Sequence, residues 1–347
     1  MAFDGMNYGH PKSTFVQHYA DVYKGEVKCK ARNIKLLVLT IFRVMTILAP
    51  ESLSNLNGKV AVLTGASRGI GKAVADVLVD NGCQVVIGDI LVEEGEKLVA
   101  DYNTKAGTKV AAFIRTDVTK YSDNQALFKL ADAEFGGVDY ALLNAGIASN
   151  SNSMFTPMDD AVEERMIDIN TTAVIKGTKV ALLHMAKRGG GAIVHLASVA
   201  GFFSAPDLAS YNASKHGVIG YTRSFQLMPQ ICNVRVNALC PFWVETDLLP
   251  SFKSTEKDKD PYINVIMHSP RTSIKTVIDG FLTLVLDPAR NTETLMALPE
   301  GLKVMKPLLP LASFHSEKSE KAQKEYLEAT IPLKKAELAE AITRYGI

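Results

Sequence analysis

Tyr211 and Lys215 stand four residues apart in the run Tyr211-Asn212-Ala213-Ser214-Lys215. On a helix that spacing puts both side chains on one face, one turn apart. A phenol titrates near ~10 in water, and a neighbouring ammonium favours the phenolate, which makes a poor base usable near neutral pH. By itself the spacing equally suits a solvated helix face. Ser198, 13 residues upstream, reads on its own as a turn residue. What gives the pair more weight is a glycine-rich turn far upstream and the order in which these features follow one another.

That turn is Thr64-Gly65-Ala66-Ser67-Arg68-Gly69-Ile70-Gly71, set between a buried apolar run and a helical stretch. Glycines at such a junction let the backbone turn tightly and approach a pyrophosphate, while the helix N-terminus offers free N–H groups and a positive dipole end. Three residues separate the first two glycines, a departure from the usual Gly-x-Gly-x-x-Gly. Asp89 ends the second apolar run, 18 residues beyond Gly71. A carboxylate there can accept from both ribose hydroxyls of NAD and would repel the 2′-phosphate of NADP. Arg68 points the other way, because a guanidinium could pair with that phosphate. Asp89 lies nearer the 2′ position, so NAD is preferred and NADP is the alternative.

Two further run ends suit a bound nucleotide. Asp117-Val118 follows the third run, where a carboxylate could meet an adenine amino group. Asn144-Ala145-Gly146 follows the fourth, where small residues let the sheet approach the cofactor. Ligands of open parallel sheets sit outside the carboxyl ends of the strands, which is where both segments fall.

The elements that must hold these residues alternate regularly after Pro50. Apolar runs at Val60–Thr64, Gln84–Gly88, Val110–Ile114, Tyr140–Asn144, Ala192–Ala197, Val234–Leu239 and Thr294–Leu298 read as strands. Helical stretches lie near 70–80, 92–105, 121–135, 158–187, 210–228 and 273–286, with a C-terminal helix from about 317. The rhythm predicts an α/β fold, a doubly wound, mostly parallel seven-stranded sheet with helices on both faces. The densely charged stretch 253–260 reads as a mobile loop. Three segments follow: an N-terminal extension over 1–56, a catalytic domain over 57–310 and a helical extension over 311–347.

Composition excludes several functions. The chain has 347 residues, with 38 Lys and Arg against 37 Asp and Glu, a net charge of +1. That balance leaves no broad basic field for nucleic acid and no acidic tail. Cys29, Cys83, Cys232 and Cys240 form no Cys-x-x-Cys pair and read as buried thiols in a reducing compartment, so a cytoplasmic location is expected. The seven histidines show no ligand spacing, so no metal is expected. His184, His195 and His216 read as packing residues. The hydrophobic run over 34–48 is broken by Lys35 and Arg43 and is shorter than the ~20 residues of a spanning helix. A packing arm or an extension without a role ranks above a membrane-surface helix.

The turn Thr64–Gly71, Asn144-Ala145-Gly146, Ser198, Tyr211-x-x-x-Lys215, and Val234-Arg235-Val236-Asn237 followed by Pro241 occur in order. In this combination the chain resembles the short-chain dehydrogenase/reductase superfamily over about 56–300, with a Rossmann-type fold. Asp89, the segment Leu298-Pro299-Glu300-Gly301 and the C-terminal extension are similar to 15-hydroxyprostaglandin dehydrogenase-like members. The resemblance implies that Tyr211 is the general base in oxidation and the acid in reduction, and that Lys215 lowers its pKa and holds the nicotinamide ribose. It implies that Ser198 bonds the substrate oxygen and that Asn170 helps to hold a water in a proton relay. Thr64, Gly65, Ser67, Arg68, Gly69, Ile70, Gly71, Asp89, Asp117, Val118, Asn144, Ala145, Gly146, Pro241, Val244 and Thr246 would line the cofactor with Tyr211 and Lys215. Phe242 stands where the family usually has glycine, which puts the nicotinamide loop in doubt.

The expected function is therefore an NAD-dependent oxidoreductase that interconverts a secondary alcohol and a ketone on an apolar small molecule. Phe202, Phe203, Phe242, Trp243 and Leu248 flank the expected cleft, with ordinary packing as the equal alternative. The competing readings are an NADPH-dependent ketoreductase of secondary metabolism and a non-catalytic nucleotide-binding sensor. Helices over 158–187 and 210–228 would, by the resemblance, form a homodimer or homotetramer contact.

Overall fold

A computed structural model describes residues 53–148, 158–204, 208–246, 261–306 and 316–347. The run 34–48, most of the extension over 1–56, the charged stretch 253–260, Cys29 and Leu248 lie outside the described residues.

The Val-, Ile- and Leu-rich runs form strands buried on two sides. They are β1 (Val60–Thr64), β2 (Gln84–Asp89), β3 (Ala111–Arg115), β4 (Tyr140–Leu143), β5 (Gly191–Leu196), β6 (Val234–Pro241) and β7 (Thr294–Leu298). Helices α1 (Gly69–Asp80), α2 (Val92–Ala106), α3 (Tyr121–Phe135), α4 (Asp160–Ile167), α5 (Ala173–Arg188), α6 (Ala209–Thr222), α7 (Met228–Cys232), α8 (Pro261–His268) and α9 (Ile274–Leu286) connect them. The sheet order is β3-β2-β1-β4-β5-β6-β7, all parallel, and an antiparallel β8 (Gly301–Val304) extends the edge. This is the expected α/β Rossmann-type sheet with eight strands in place of seven. β8 escapes a periodicity reading because it is four residues long and half polar, and the tight turn at Pro299-Glu300 folds it back on β7.

Alternate strand residues feed two cores. Ala61, Leu63, Val85 and Ile87 meet Leu78 of α1, Leu98 of α2 and Phe281 of α9 on one face. Val60, Val62, Val86 and Val236 meet Phe128 of α3, Met185 of α5 and Val218 of α6 on the other. The strand order reverses between β1 and β4, so their carboxyl ends open a crevice there.

Two helical expectations need correction. The stretch 158–187 is not one α-helix: Asp168–Thr172 is a π turn in which Ala173 N donates to Asp168 O, five residues back. The stretch 210–228 stops at Thr222, and α7 starts anew with Pro229 in its first turn. Helix α8 was not expected from the sequence. The C-terminal helix α10 (Glu317–Tyr345) opens on a capping box in which Ser316 and Ser319 bond each other's backbone N–H.

His195 is sealed between Thr178 Oγ1 and Thr222 Oγ1, 2.8 Å from each, and burial drives its pKa down to about 3. It is a packing residue, as is His184 against Asp132. His216 is exposed on α6, contrary to the packing expectation. Among the described residues no helix is long and apolar enough to cross a membrane. No group of three or more His, Cys, Asp or Glu among them could hold a metal.

Candidate active site

The crevice is built first by glycines. Gly65 adopts a φ of +63°, and a Cβ there would lie 2.7 Å from Ala145 Cα, so only glycine lets β1 pass this close to the end of β4. At Gly71 a Cβ would lie 2.7 Å from Ala66 Cα and 2.8 Å from Asn144 Nδ2. Asn144 locks the two strand ends together. Its side-chain amide donates to Thr64 O (3.0 Å) and Gly65 O (2.7 Å), and its backbone N donates to Thr64 Oγ1 (3.0 Å). Arg68 is extended at the N-cap of α1 and contributes no side-chain cap, so the first N–H groups of α1 face the crevice.

Asp89 is fixed beside this turn. Ser67 N donates to its Oδ2 (2.9 Å), Leu91 N donates to its Oδ1 (3.1 Å), and the side chain is buried. Each carboxylate oxygen still has acceptor capacity, and the negative charge is held at the end of β2. Asp117 is used differently. Its Oδ1 accepts from Thr119 N (3.0 Å) and Thr119 Oγ1 (2.7 Å), and these bonds hold its carboxyl below the usual range. Val118 O accepts from Asn124 Nδ2, which pins the same loop.

Tyr211 and Lys215 start α6, and Ser198 caps the short turn Val199–Gly201 just past β5. Ser198 hydrogen-bonds the Tyr211 phenol and lowers its pKa, while burial raises it by more. The net direction is up. Lys215 Nζ donates to Leu196 O (3.0 Å) and sits 5.7 Å from the Tyr211 ring centroid. Burial drives Lys215 itself down to about 8. Burial sets the net direction for both groups, raising the phenol and lowering the ammonium.

Asn170 lies on the π turn and is fully buried. Its Oδ1 accepts from Ile147 N (2.8 Å), and its Nδ2 donates to Ile147 O (2.9 Å) and Ser214 Oγ (3.1 Å). With both amide atoms engaged, the side chain ties the loop after β4 to α6. Ser214 Oγ in turn donates to Tyr211 O (2.7 Å), a link that the Tyr-Lys spacing did not single out. A Cβ on Gly146 would lie 3.2 Å from Asn170 Oδ1 and 3.6 Å from Lys215 Nζ, so loop, π turn and α6 meet at one point. Asn170→Ala should leave both Ile147 backbone groups without that partner. We expect a destabilisation of roughly 2–3 kcal/mol in denaturant unfolding, whereas an unchanged midpoint would show the ties to be dispensable.

The segment after β6 closes the crevice. Thr246 comes within 3.8 Å of where a Gly69 Cβ would sit, and Val244 is buried. Phe242 needs no left-handed backbone, its N donates to Ala297 O (3.0 Å), and its ring packs on the α5–α6 core. The glycine-to-phenylalanine departure therefore leaves this loop unstrained. Of the apolar group named from sequence, Phe202 packs on the same core, Phe203 is largely exposed, and Trp243 reaches the surroundings of Tyr211. Cys240, unnoticed as a neighbour from sequence, is buried near Lys215 with its thiol pushed up to about 12, and so stays neutral.

The residues fit a nicotinamide dinucleotide. A glycine-lined turn meets free helix N–H groups, a fixed carboxylate stands where a ribose would lie, and a lysine and a tyrosine stand at the far end. Such a set can exchange a proton with an alcohol oxygen held against Tyr211 and Ser198.

The family model for short chain dehydrogenase matches residues 59–257. The chain is 33% identical over 248 residues to the NAD(+) 15-hydroxyprostaglandin dehydrogenase of Macaca fascicularis, covering 68% of this chain and 90% of that protein. It is 41% identical over 191 residues to cis-4-hydroxycyclohexanecarboxylate dehydrogenase of Sinomonas cyclohexanicum, covering 55% and 75%. A crystal structure of a short-chain type dehydrogenase/reductase from Mycobacterium marinum superposes with a TM-score of 0.63 at 26% identity, covering 72% of this chain and 98% of that one.

Proposed function

This chain belongs to the short-chain dehydrogenase/reductase family, and on that premise we propose that it oxidises an apolar secondary alcohol to a ketone with NAD, using Tyr211, Lys215 and Ser198. It is an NAD(P)-dependent oxidoreductase of secondary alcohols and ketones. The single observation that carries the finer reading is that Ser198 acts on the Tyr211 phenol while buried Lys215 lies 5.7 Å from the Tyr211 ring centroid.

The nicotinamide supplies the hydride acceptor. The remaining work falls to the chain. Ser198 Oγ donates to the alcohol oxygen, and Tyr211 Oη receives its proton. Lys215 Nζ adds positive charge next to the phenol as that proton arrives or leaves. In the reverse direction Tyr211 returns the proton to the ketone oxygen.

The preference for NAD rests on Asp89, held by two backbone N–H groups, and the name of the macaque relative supports it. Asp89→Ala should raise the dissociation constant of NADH by roughly 10- to 100-fold, the worth of charge-assisted hydrogen bonds. It should also weaken the discrimination against NADPH. Fluorescence titration with both cofactors checks this, and wild-type protein that binds NADPH more tightly than NADH overturns the NAD assignment.

The function itself is tested with purified protein, NAD and a panel of secondary alcohols. Growth of NADH absorbance is the expected result. Tight NADH binding without turnover of any alcohol or ketone would favour the sensor reading instead. By the same family resemblance we propose assembly through α4, α5 and α6, which sedimentation equilibrium reads directly.

A further inference from the structure

Trp243 is the only tryptophan in the chain, and it shares its neighbours with Tyr211. Both side chains pack against Ala148, Leu208 and Ile266, which are 8%, 4% and 3% exposed. These three come from the loop after β4, the start of α6 and helix α8, so three separate parts of the chain converge around the phenol. Tyr211 and Trp243 both keep part of their surface open. An alcohol oxygen bound to Tyr211 and Ser198 sits about 3 Å from each donor, and the carbons attached to its carbinol carbon then lie against this wall.

The wall is locked in place. Thr272 N donates to Trp243 O (2.7 Å), and Val244 bridges to Thr272 in the same step. Arg271 spans the junction: its Nε donates to Glu245 Oε1 (2.6 Å), and its Nη1 donates to Ile266 O (2.8 Å) and Ser269 O (2.9 Å). One guanidinium therefore ties the strand leaving Trp243 to the carbonyl end of α8, where a cation is also favoured by the helix dipole. Trp243 packs on the cluster that contains Ile266, and the Phe242 ring meets the indole edge-on with centroids 6.2 Å apart. Apart from Tyr211, no member of this cluster has a titratable side chain.

We propose that Trp243, backed by Ile266 and secured by Arg271, is the specificity-determining wall of the site, covering an apolar ring or alkyl group bonded to the carbinol carbon. A charged group at that position would lose its hydration against the indole without gaining a partner, so substrates charged next to the carbinol are rejected. The proposal rests on the reading that Tyr211 is the acid–base group.

The test compares wild type, Trp243→Ala, Trp243→Phe and Ile266→Ala with cyclohexanol, 2-propanol and 3-hydroxybutyrate as alcohols and NAD as cofactor. Wild type should favour cyclohexanol over both others in kcat/KM. Trp243→Ala should shrink the cyclohexanol-to-2-propanol ratio at least tenfold, Ile266→Ala should shrink it less, and Trp243→Phe should largely restore it. Ratios within twofold of wild type in Trp243→Ala would overturn the proposal. A second readout needs no turnover. In Tyr211→Phe loaded with NAD, emission from the lone indole should shift as cyclohexanol is added and not as 3-hydroxybutyrate is added. Unchanged emission at saturating cyclohexanol also overturns the wall. An indole that responds to cyclohexanol in a wild-type protein unable to turn it over supports the wall and sinks the acid–base reading.

Discussion

Tyr211→Phe should lower kcat for alcohol oxidation by about 10²–10⁴-fold, the usual worth of a positioned acid–base group, while the NADH dissociation constant stays within about twofold of wild type. The split follows from geometry. On the proposed reading the phenol and Ser198 would take the substrate oxygen, whereas the glycine turn and Asp89, which is held by Ser67 N, would hold the other end of the cofactor. Steady-state kinetics and a binding titration on the same preparation separate the two effects. Full turnover in the variant would remove Tyr211 from the mechanism.

The wild-type enzyme should also show opposite pH responses in its two directions. Burial raises the Tyr211 pKa and so favours the neutral phenol. Oxidation needs the deprotonated base, so its rate should climb as pH rises toward that pKa. Ketone reduction needs the protonated acid and should hold at low pH and fall at high pH. Rates that move together in both directions would place the controlling proton elsewhere.

Lys215→Met should abolish most activity and yet make the protein more stable at pH 7. Lys215 is 5% exposed, and its pKa falls from 10.5 to about 8 through burial. Between those values the unfolded chain binds a proton that the folded one does not, so stability increases with pH across this window. Below pH 8 the full penalty of a buried ammonium weighs against the fold, and above about 10.5 it is gone. A neutral side chain of similar length removes that penalty, partly offset by losing the bond to Leu196 O. The net gain should be about 1–2 kcal/mol at pH 7, dwindling as pH approaches 10.5. Denaturant unfolding at pH 7 and pH 10 tests both points. A variant less stable than wild type at pH 7 would show that the lysine's bonds outweigh its desolvation.

Such a trade is expected where a site holds a charge for chemistry instead of for folding. The same logic separates Lys215 from Arg235, whose guanidinium satisfies the carbonyls of Leu284, Val285, Asp287 and Arg290 at the end of α9. Removing Arg235 takes the donor from Leu284 O and Val285 O and one of two donors from Asp287 O and Arg290 O, while removing Lys215 takes one donor, from Leu196 O.

Much of the fold was legible because the signals were local. β1 and β7 match the apolar runs at both ends, and α3 matches its helical stretch residue for residue. The glycine turn was legible too, since close approach at Gly65 demands a residue without a Cβ wherever the partner strand lies. The π turn at Asp168–Thr172 was not, because one extra residue per turn leaves the apolar period of a 30-residue helical stretch nearly intact. β8 was hidden by its length, and its place depends on pairing with β7.

What the amino-acid sequence determined by itself was residue type and order: a strand–turn–helix able to take a dinucleotide, a carboxylate at the end of β2, and a tyrosine one helical turn before a lysine. Only the tertiary structure decided what those groups experience. It turned the Tyr211 pKa upward, occupied both ends of the Asn170 amide, directed the Phe242 ring into the core and brought Trp243 beside the phenol. The physical reason is that backbone conformation follows from neighbours along the chain, whereas desolvation and hydrogen-bond partners come from segments tens of residues away.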